Sequence, residues 1–170
     1  ARKASMNNYS RLHNYLSWPL LLAGFAVTLL LDFIPFSSFG LYSPPEWSAL
    51  LLIYCVIYYR ALVGLLFAFC LGLLLDIGTA APLGLHALAY ILITFLIQQR
   101  QARLEISGLA FQVAYVWLAL MLNNTVIALV HWLYDQRFLG WPAFLSAPVI
   151  GALLWPLLRK IIQVLFRPRS

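Results

Sequence analysis

Charged side chains are scarce in this 170-residue sequence. Asp, Glu, Lys and Arg make up 9% of the residues, whereas about 25% is usual in a soluble domain. So few charges cannot cover the surface of a soluble protein of this size. The composition therefore excludes a soluble globular enzyme, a disordered chain, a nucleic-acid-binding domain and a disulfide scaffold.

Catalytic and redox patterns are also lacking. The two cysteines, Cys55 and Cys70, both lie in apolar runs, where a thiol usually serves as a small packing residue. The sequence contains no GxSxG, no HExxH, no Walker A loop and no cluster of metal ligands. We therefore predict a protein that is not an enzyme and needs no metal or cofactor.

Apolar residues, in contrast, make up 64% of the chain. Spanning the hydrocarbon core takes about 20 of them as a helix, and six runs are candidates. We interpret the first run as an uncleaved helix, because five more follow it. A tight turn at Arg60 separates the second and third runs, since an unbroken helix would bury this arginine at mid-membrane. The runs are residues 18–33, 47–59, 61–75, 83–97, 109–133 and 141–158.

The basic residues give these runs an orientation. If the N-terminus is cytoplasmic, ten of the eleven basic residues fall inside and only Arg137 falls outside, as the positive-inside rule requires. We predict an all-α integral membrane protein with six transmembrane helices and both termini in the cytoplasm. Residues 1–17 form an N-terminal tail, residues 18–158 the membrane domain and residues 159–170 a basic tail. Such tails favour anionic membrane lipids as partners, not nucleic acid.

Small residues recur at four-residue steps on two predicted helices, which gives each helix a flat face. Packing within the bundle accounts for such faces, and so does docking of another protein's transmembrane helix. The pattern alone does not choose between these interpretations. The faces consist of Gly64, Ala68 and Gly72 on the third helix, and of Ala143, Ala147 and Gly151 on the sixth.

Polar side chains occur inside the apolar runs, where lipid offers them no hydrogen-bond partner. They indicate either hydrogen bonds between helices or a path for a solute or proton. The chief examples are Tyr90 and Thr94 on the fourth helix and Asn123 and Asn124 on the fifth.

Asp76 and His86 lie at the ends of consecutive predicted helices, joined by a segment rich in Gly and Pro. A tight turn there brings the two side chains within reach of each other. The pair is either a structural clasp that closes the third and fourth helices or a switch that titrates near physiological pH.

One stretch of the sequence resembles a known family. Pro45-Glu46-Trp47 leads into an apolar helix, and Gly72-Leu73 is followed by Asp76 and then by Leu83-Gly84 and His86-Ala87-Leu88. The order and spacing of these residues resemble the bacterial rod shape-determining protein family MreD. The late Trp155-Pro156 before a basic tail looks like the end of that family's sequences.

This resemblance implies a location and a set of partners. MreD-like proteins lie in the bacterial inner membrane and bind MreC, which has one transmembrane helix and a periplasmic domain. They work with MreB, RodA and a class B penicillin-binding protein in cell elongation, and they support lateral peptidoglycan synthesis and rod shape. They are not known as enzymes, and their fold is thought to be similar to the substrate-binding subunits of energy-coupling-factor transporters.

Two functions therefore compete at the level of sequence. The first is a non-catalytic membrane scaffold for cell elongation, with the small-residue face of the third helix as the first choice for partner docking and that of the sixth as the second. The alternative is a small-solute-binding subunit of a membrane transporter, favoured by the polar residues of the fourth and fifth helices.

Overall fold

Six α-helices form the architecture of the computed structural model, which describes residues 18–34, 45–59, 62–135 and 141–165. Within these ranges there is no β-strand, so the predicted all-α class is confirmed for the described chain. Each helix coincides with one of the six apolar runs. The helices are α1 (Trp18–Asp32), α2 (Trp47–Tyr58), α3 (Leu65–Thr79), α4 (Leu85–Ile106), α5 (Leu109–Asp135) and α6 (Trp141–Leu165).

Four helices (α3, α4, α5 and α6) continue beyond the apolar runs that predict them, and α4 and α6 do so furthest. The fourth run ends at residue 97 but α4 continues to Ile106, and the sixth ends at residue 158 but α6 continues to Leu165. A helix satisfies its own backbone hydrogen bonds and therefore extends into polar sequence where no breaker intervenes. The predicted break between the second and third helices is present, while Arg60 and the N-terminal tail lie outside the described residues.

The short helix α2 is the centre of the bundle. It packs against α1, α4 and α6, and its residues from Ser48 to Ile57 are buried except Leu51. The next most connected helix is α4, which packs against α2, α3 and α5. Helix α3 packs chiefly on α4 and meets α1 through the rings of Phe25 and Phe67, whose centroids are 4.9 Å apart.

Large apolar side chains cover the outside of the bundle, among them Leu66, Ile77 and Leu153. Two of the described helices, over Leu109–Tyr134 and Phe144–Val164, are long and apolar enough to cross a bilayer. Helices α1, α2 and α3 are apolar but have 12 to 15 residues, fewer than the roughly 20 that a straight span takes. The surface is that of a membrane protein, while the six spans remain a prediction.

Candidate functional site

The first turn of α2 is capped by an acidic residue of the preceding helix. Asp32, the last residue of α1, accepts hydrogen bonds from the backbone N–H groups of Trp47 at 2.7 Å and of Ser48 at 2.9 Å. Glu46 occupies the N-cap position itself but makes no side-chain cap bond. A carboxylate at this place satisfies N–H groups that have no partner within the helix and opposes the positive end of the helix dipole.

The same arrangement closes α3 and α4. Asp76, near the end of α3 and fully buried, accepts from the backbone N–H groups of Gly84 at 2.8 Å and of His86 at 2.9 Å. His86 Nδ1 lies 2.8 Å from Asp76 Oδ1. The structure thus brings together the two residues that the sequence places at the ends of consecutive helices. The Asp76 carboxylate also caps the N-terminal end of α4, so it has a structural role as well as the contact with the imidazole ring.

Hydroxyl groups connect the two caps. Ser48 Oγ lies 2.5 Å from Asp32 Oδ2 and 2.7 Å from the Tyr90 hydroxyl, which in turn lies 3.0 Å from Glu46 Oε2. The other oxygen of Glu46 is 3.8 Å from His86 Nε2. These contacts join α1, α2, α3 and α4 at one end of the bundle. We call the set the carboxylate network, which consists of Asp32, Glu46, Ser48, Asp76, His86 and Tyr90.

The carboxylate network is rich in acidic groups and borders open space. A cavity of about 170 Å³ is lined by Asp32, Glu46, Thr79 and His86, among others. No Lys or Arg makes one of the contacts that define the network. Its three carboxyl groups are therefore accompanied by a single basic side chain, the imidazole of His86. Within the described ranges, no three His, Cys, Asp or Glu residues are grouped closely enough to hold a metal ion. The arrangement is suited to fixing helix ends and to holding protons.

A second polar cluster lies where α4 meets α5 and centres on Gln112, which is fully buried. Its amide donates to the Leu104 carbonyl at 2.6 Å and to the Tyr58 hydroxyl at 3.0 Å. Its oxygen accepts from Arg159 Nη1 at 3.0 Å, and Trp155 Nε1 lies 3.4 Å away. The Arg159 guanidinium also lies over the Tyr58 ring, 5.9 Å from its centroid. This Gln112 cluster ties α2, α4, α5 and α6 together.

The small residues of α3 are used largely inside the bundle. Ala68 and Gly72 are buried, and a Cβ at Gly72 would overlap the backbone of His86 and Ala87 on α4. A Cβ at Gly64 would meet nothing within 4 Å. Packing within the bundle, one of the two interpretations open at the sequence level, therefore accounts for Ala68 and Gly72.

The small residues of α6 are placed in a similar way. Ala147 and Gly151 are buried, and a Cβ at Gly151 would collide with the Leu120 side chain of α5. Ala143 lies on α6, and its side chain falls outside the described part of the chain. The Leu120 side chain must therefore shift if position 151 is to carry a larger residue.

The polar residues predicted to lie inside the membrane differ in their surroundings. Asn124 donates to the Phe144 carbonyl at 3.0 Å and so links α5 to α6. Thr94 and Asn123 are buried on α4 and α5, with Thr94 Oγ1 and Asn123 Oδ1 lacking a hydrogen-bond partner. Of the predicted polar residues, only Tyr90 joins the carboxylate network.

Sequence reasoning missed Asp32, Glu46 and Ser48 of the carboxylate network. It also missed Tyr58, Gln112, Trp155 and Arg159 of the Gln112 cluster. Each finds its partner in another helix, and the Ser48–Tyr90 and Gln112–Arg159 pairs are 42 and 47 residues apart. Rules based on short sequence spacing cannot predict contacts between residues so far apart in the chain. The available signal was Glu46 itself, an acidic residue at the entry to an apolar helix.

Comparisons with known proteins agree on one family. The family model of the rod shape-determining protein MreD matches residues 12–165. The curated rod shape-determining protein MreD of Haemophilus influenzae is 31% identical to this chain over 150 residues, which cover 86% of this chain and 92% of the relative. No solved structure matches the chain.

Proposed function

Because the chain belongs to the MreD family of rod shape-determining proteins, we propose that it is a non-catalytic scaffold of cell elongation in the bacterial inner membrane. It binds MreC and joins MreB, RodA and a class B penicillin-binding protein, and it supports lateral peptidoglycan synthesis. The observation that carries the proposal is the family match over residues 12–165, which assigns the chain a role in cell shape.

A multi-pass arrangement with both termini in the cytoplasm is part of this proposal. It is supported by the distribution of basic residues and by the two helices that are long and apolar enough to cross a bilayer. In this orientation the carboxylate network faces the periplasmic side, and the Gln112 cluster faces the cytoplasm.

A scaffold role is consistent with the use of the polar side chains. Asp32 and Asp76 accept hydrogen bonds from the backbone at helix ends, and Gln112 makes hydrogen bonds to three neighbouring helices. These contacts hold helices together at both ends of the bundle, which a scaffold needs. They leave partner contacts to the apolar surface of the helices, where close packing drives association in lipid.

A partner helix that contacts α3 would do so on the side that α4 leaves uncovered. The side of α3 that carries Ala68 and Gly72 is covered by α4, whereas Leu66, Phe69 and Cys70 are exposed. Of the docking face predicted on the third helix, Gly64, Ala68 and Gly72, only Gly64 is left uncovered, and we propose that the partner instead contacts the exposed side of α3. The face of α6 that holds Ala147 and Gly151 is covered by the chain itself.

The transporter alternative receives less support. A solute-binding subunit needs polar side chains that line an accessible cavity. Tyr90 and Thr94 are completely buried and Asn123 is 1% exposed, so these side chains contact no water-sized space. Three of the four polar residues that favoured a solute path are instead packed between helices, and the half-buried Asn124 links α5 to α6.

Complementation of cell shape tests the proposed function. The chain is expressed in rod-shaped bacteria depleted of their own MreD-family protein, and cell width and length are measured. Restored rods, with co-purification of a single-span partner that has a periplasmic domain, are the expected result. Round cells despite normal membrane levels of the chain contradict the scaffold role, and recovery of a bound small solute or of ATPase subunits favours the transporter.

The two native cysteines provide matched probes for the partner contact. Cys70 is exposed on α3, and Cys55 is buried in α2. A scan of single cysteines along the partner's transmembrane helix, followed by oxidation, gives a disulfide to Cys70 if α3 is the docking helix. The same disulfide must be absent in Cys70→Ser and present in Cys55→Ser. The absence of any Cys70 disulfide across the scan excludes the exposed side of α3.

Cysteine accessibility tests the orientation. Leu83 lies exposed between α3 and α4, and Ser107 lies between α4 and α5. In a cysteine-free variant, Leu83→Cys is expected to react with an impermeant maleimide in intact spheroplasts, and Ser107→Cys only after permeabilisation. The reverse pattern inverts the topology, and reaction of both sites in intact spheroplasts overturns the placement of α4 as a span.

A further inference from the structure

The carboxylate network contains a row of four oxygen atoms with three close contacts. Asp32 Oδ2 and Ser48 Oγ are 2.5 Å apart, Ser48 Oγ and the Tyr90 hydroxyl 2.7 Å, and the Tyr90 hydroxyl and Glu46 Oε2 3.0 Å. All three distances are those of O–H···O hydrogen bonds. We propose that this row is a proton-binding site, in which either Asp32 or Glu46 carries one proton beyond the two hydroxyl protons.

The argument is a count of hydrogens. An ionised carboxylate only accepts hydrogen bonds, whereas Ser48 and Tyr90 each donate one proton. Two protons satisfy two of the three contacts and leave two oxygen atoms facing each other through lone pairs. Such a contact repels at these distances, so the third needs a proton of its own. Only the carboxyl groups at the two ends of the row can supply it.

The other charged and titratable groups around the row do not change the conclusion that a carboxyl group must supply the third proton. On α3, Asp76 already accepts from two backbone N–H groups and faces His86 Nδ1. A proton on His86 would not complete the row, because His86 Nε2 lies 3.8 Å from Glu46 and contacts none of the three hydrogen bonds. On α5, His131 and Tyr134 line a neighbouring cavity together with His86.

Solvent has a route to the proton. The 170 Å³ cavity is lined by both Asp32 and Glu46, which are the two groups able to hold it, while Tyr90 between them is fully buried. The proton can therefore exchange at the ends of the row while its middle stays dry. Moving the proton from Asp32 to Glu46 shifts one proton across each of the three contacts: Ser48 gains the Asp32 proton as it gives its own to Tyr90, and Tyr90 gives its own to Glu46.

Infrared difference spectroscopy of the full chain in lipid nanodiscs tests the site directly. At near-neutral pH we expect the C=O stretching band of one protonated carboxyl group, which is lost in Asp32→Asn or in Glu46→Gln. The exposed Glu105 provides the matched control, and Glu105→Gln must keep the band. The absence of the band in the unmodified chain, or its persistence in both Asp32→Asn and Glu46→Gln, overturns the proposal.

Removing a hydroxyl group distinguishes two explanations for the extra proton. One is the number of hydrogens that the row needs, and the other is burial of the carboxyl groups. Ser48→Ala and Tyr90→Phe keep every carboxyl group but shorten the row to one contact, which a single hydroxyl proton satisfies. We expect both variants to lose the band at near-neutral pH and to regain it only in more acid solution. Circular dichroism identifies which variants are folded. An unchanged band in a folded hydroxyl variant refutes the count, because burial alone would then explain the proton.

Discussion

Asp76 holds His86 at two points, since it accepts the backbone N–H of His86 at 2.9 Å and lies 2.8 Å from its ring Nδ1. The two contacts fix both the start of α4 and the direction of the imidazole ring. The ring's other nitrogen thereby points toward Glu46. One buried carboxylate thus sets the geometry of a helix end and of a side-chain network together.

Replacing Asp76 by Asn should destabilise the protein by about 3 kcal/mol. The amide cannot accept on both sides, so its NH₂ group faces one of the two N–H donors of α4. The free energy of unfolding in mixed micelles measures the effect. The exposed Glu105→Gln variant is expected to stay within about 0.5 kcal/mol of the unmodified protein. Equal stability of the two variants would mean that the cap contributes nothing.

Gly72 should tolerate no larger side chain, because a Cβ there would overlap the backbone of α4. We expect Gly72→Ala to lower the free energy of unfolding by about 2 kcal/mol. Gly64→Ala is the control, since its Cβ meets nothing within 4 Å and its φ of −110° suits any residue. Loss of MreC co-purification with unchanged stability in Gly72→Ala would instead support the docking interpretation of this face.

Gln112→Leu should cost about 2–3 kcal/mol, because the similar-sized apolar side chain leaves the polar groups of Tyr58 and Trp155 without their amide partner. Thermal unfolding followed by circular dichroism measures the loss. Gln99→Leu on the exposed side of α4 serves as the comparison and should leave the unfolding temperature unchanged. A similar fall in both variants would point to a general effect on α4 instead of the cluster.

Glycine should be more stable than alanine at two positions of the turn between α3 and α4, residues 80 and 84. Ala80 has a φ of +53°, a left-handed conformation that costs energy with a Cβ present, and Gly84 has a φ of +98°. Ala80→Gly is therefore expected to stabilise the protein by about 0.5 kcal/mol, and Gly84→Ala to destabilise it by about 1 kcal/mol. Chemical unfolding of both variants provides the measurement, and a stabilising Gly84→Ala would contradict the turn conformation.

The helices were predictable because each coincides with an apolar run that is interrupted by polar or turn-forming residues. The meeting of Asp76 and His86 was also accessible, since only a short turn separates them. The Ser48–Tyr90 and Gln112–Arg159 contacts were not, because they depend on which helices become neighbours and on their relative rotation. Small residues were equally ambiguous. A glycine such as Gly72 looks the same in the sequence whether it contacts α4 or a partner helix. Only the packing of the folded chain distinguishes these two contacts.

The two aspartate caps also bear on the order in which the chain enters the membrane. Asp32 precedes its first N–H partner by 15 residues and Asp76 precedes its first by 8, so each carboxylate leaves the ribosome before the helix end that it caps. Neither cap needs a residue from a later helix. Each helical hairpin can therefore close as it is synthesised, and the Ser48–Tyr90 contact can join the two hairpins only after α4 has followed them.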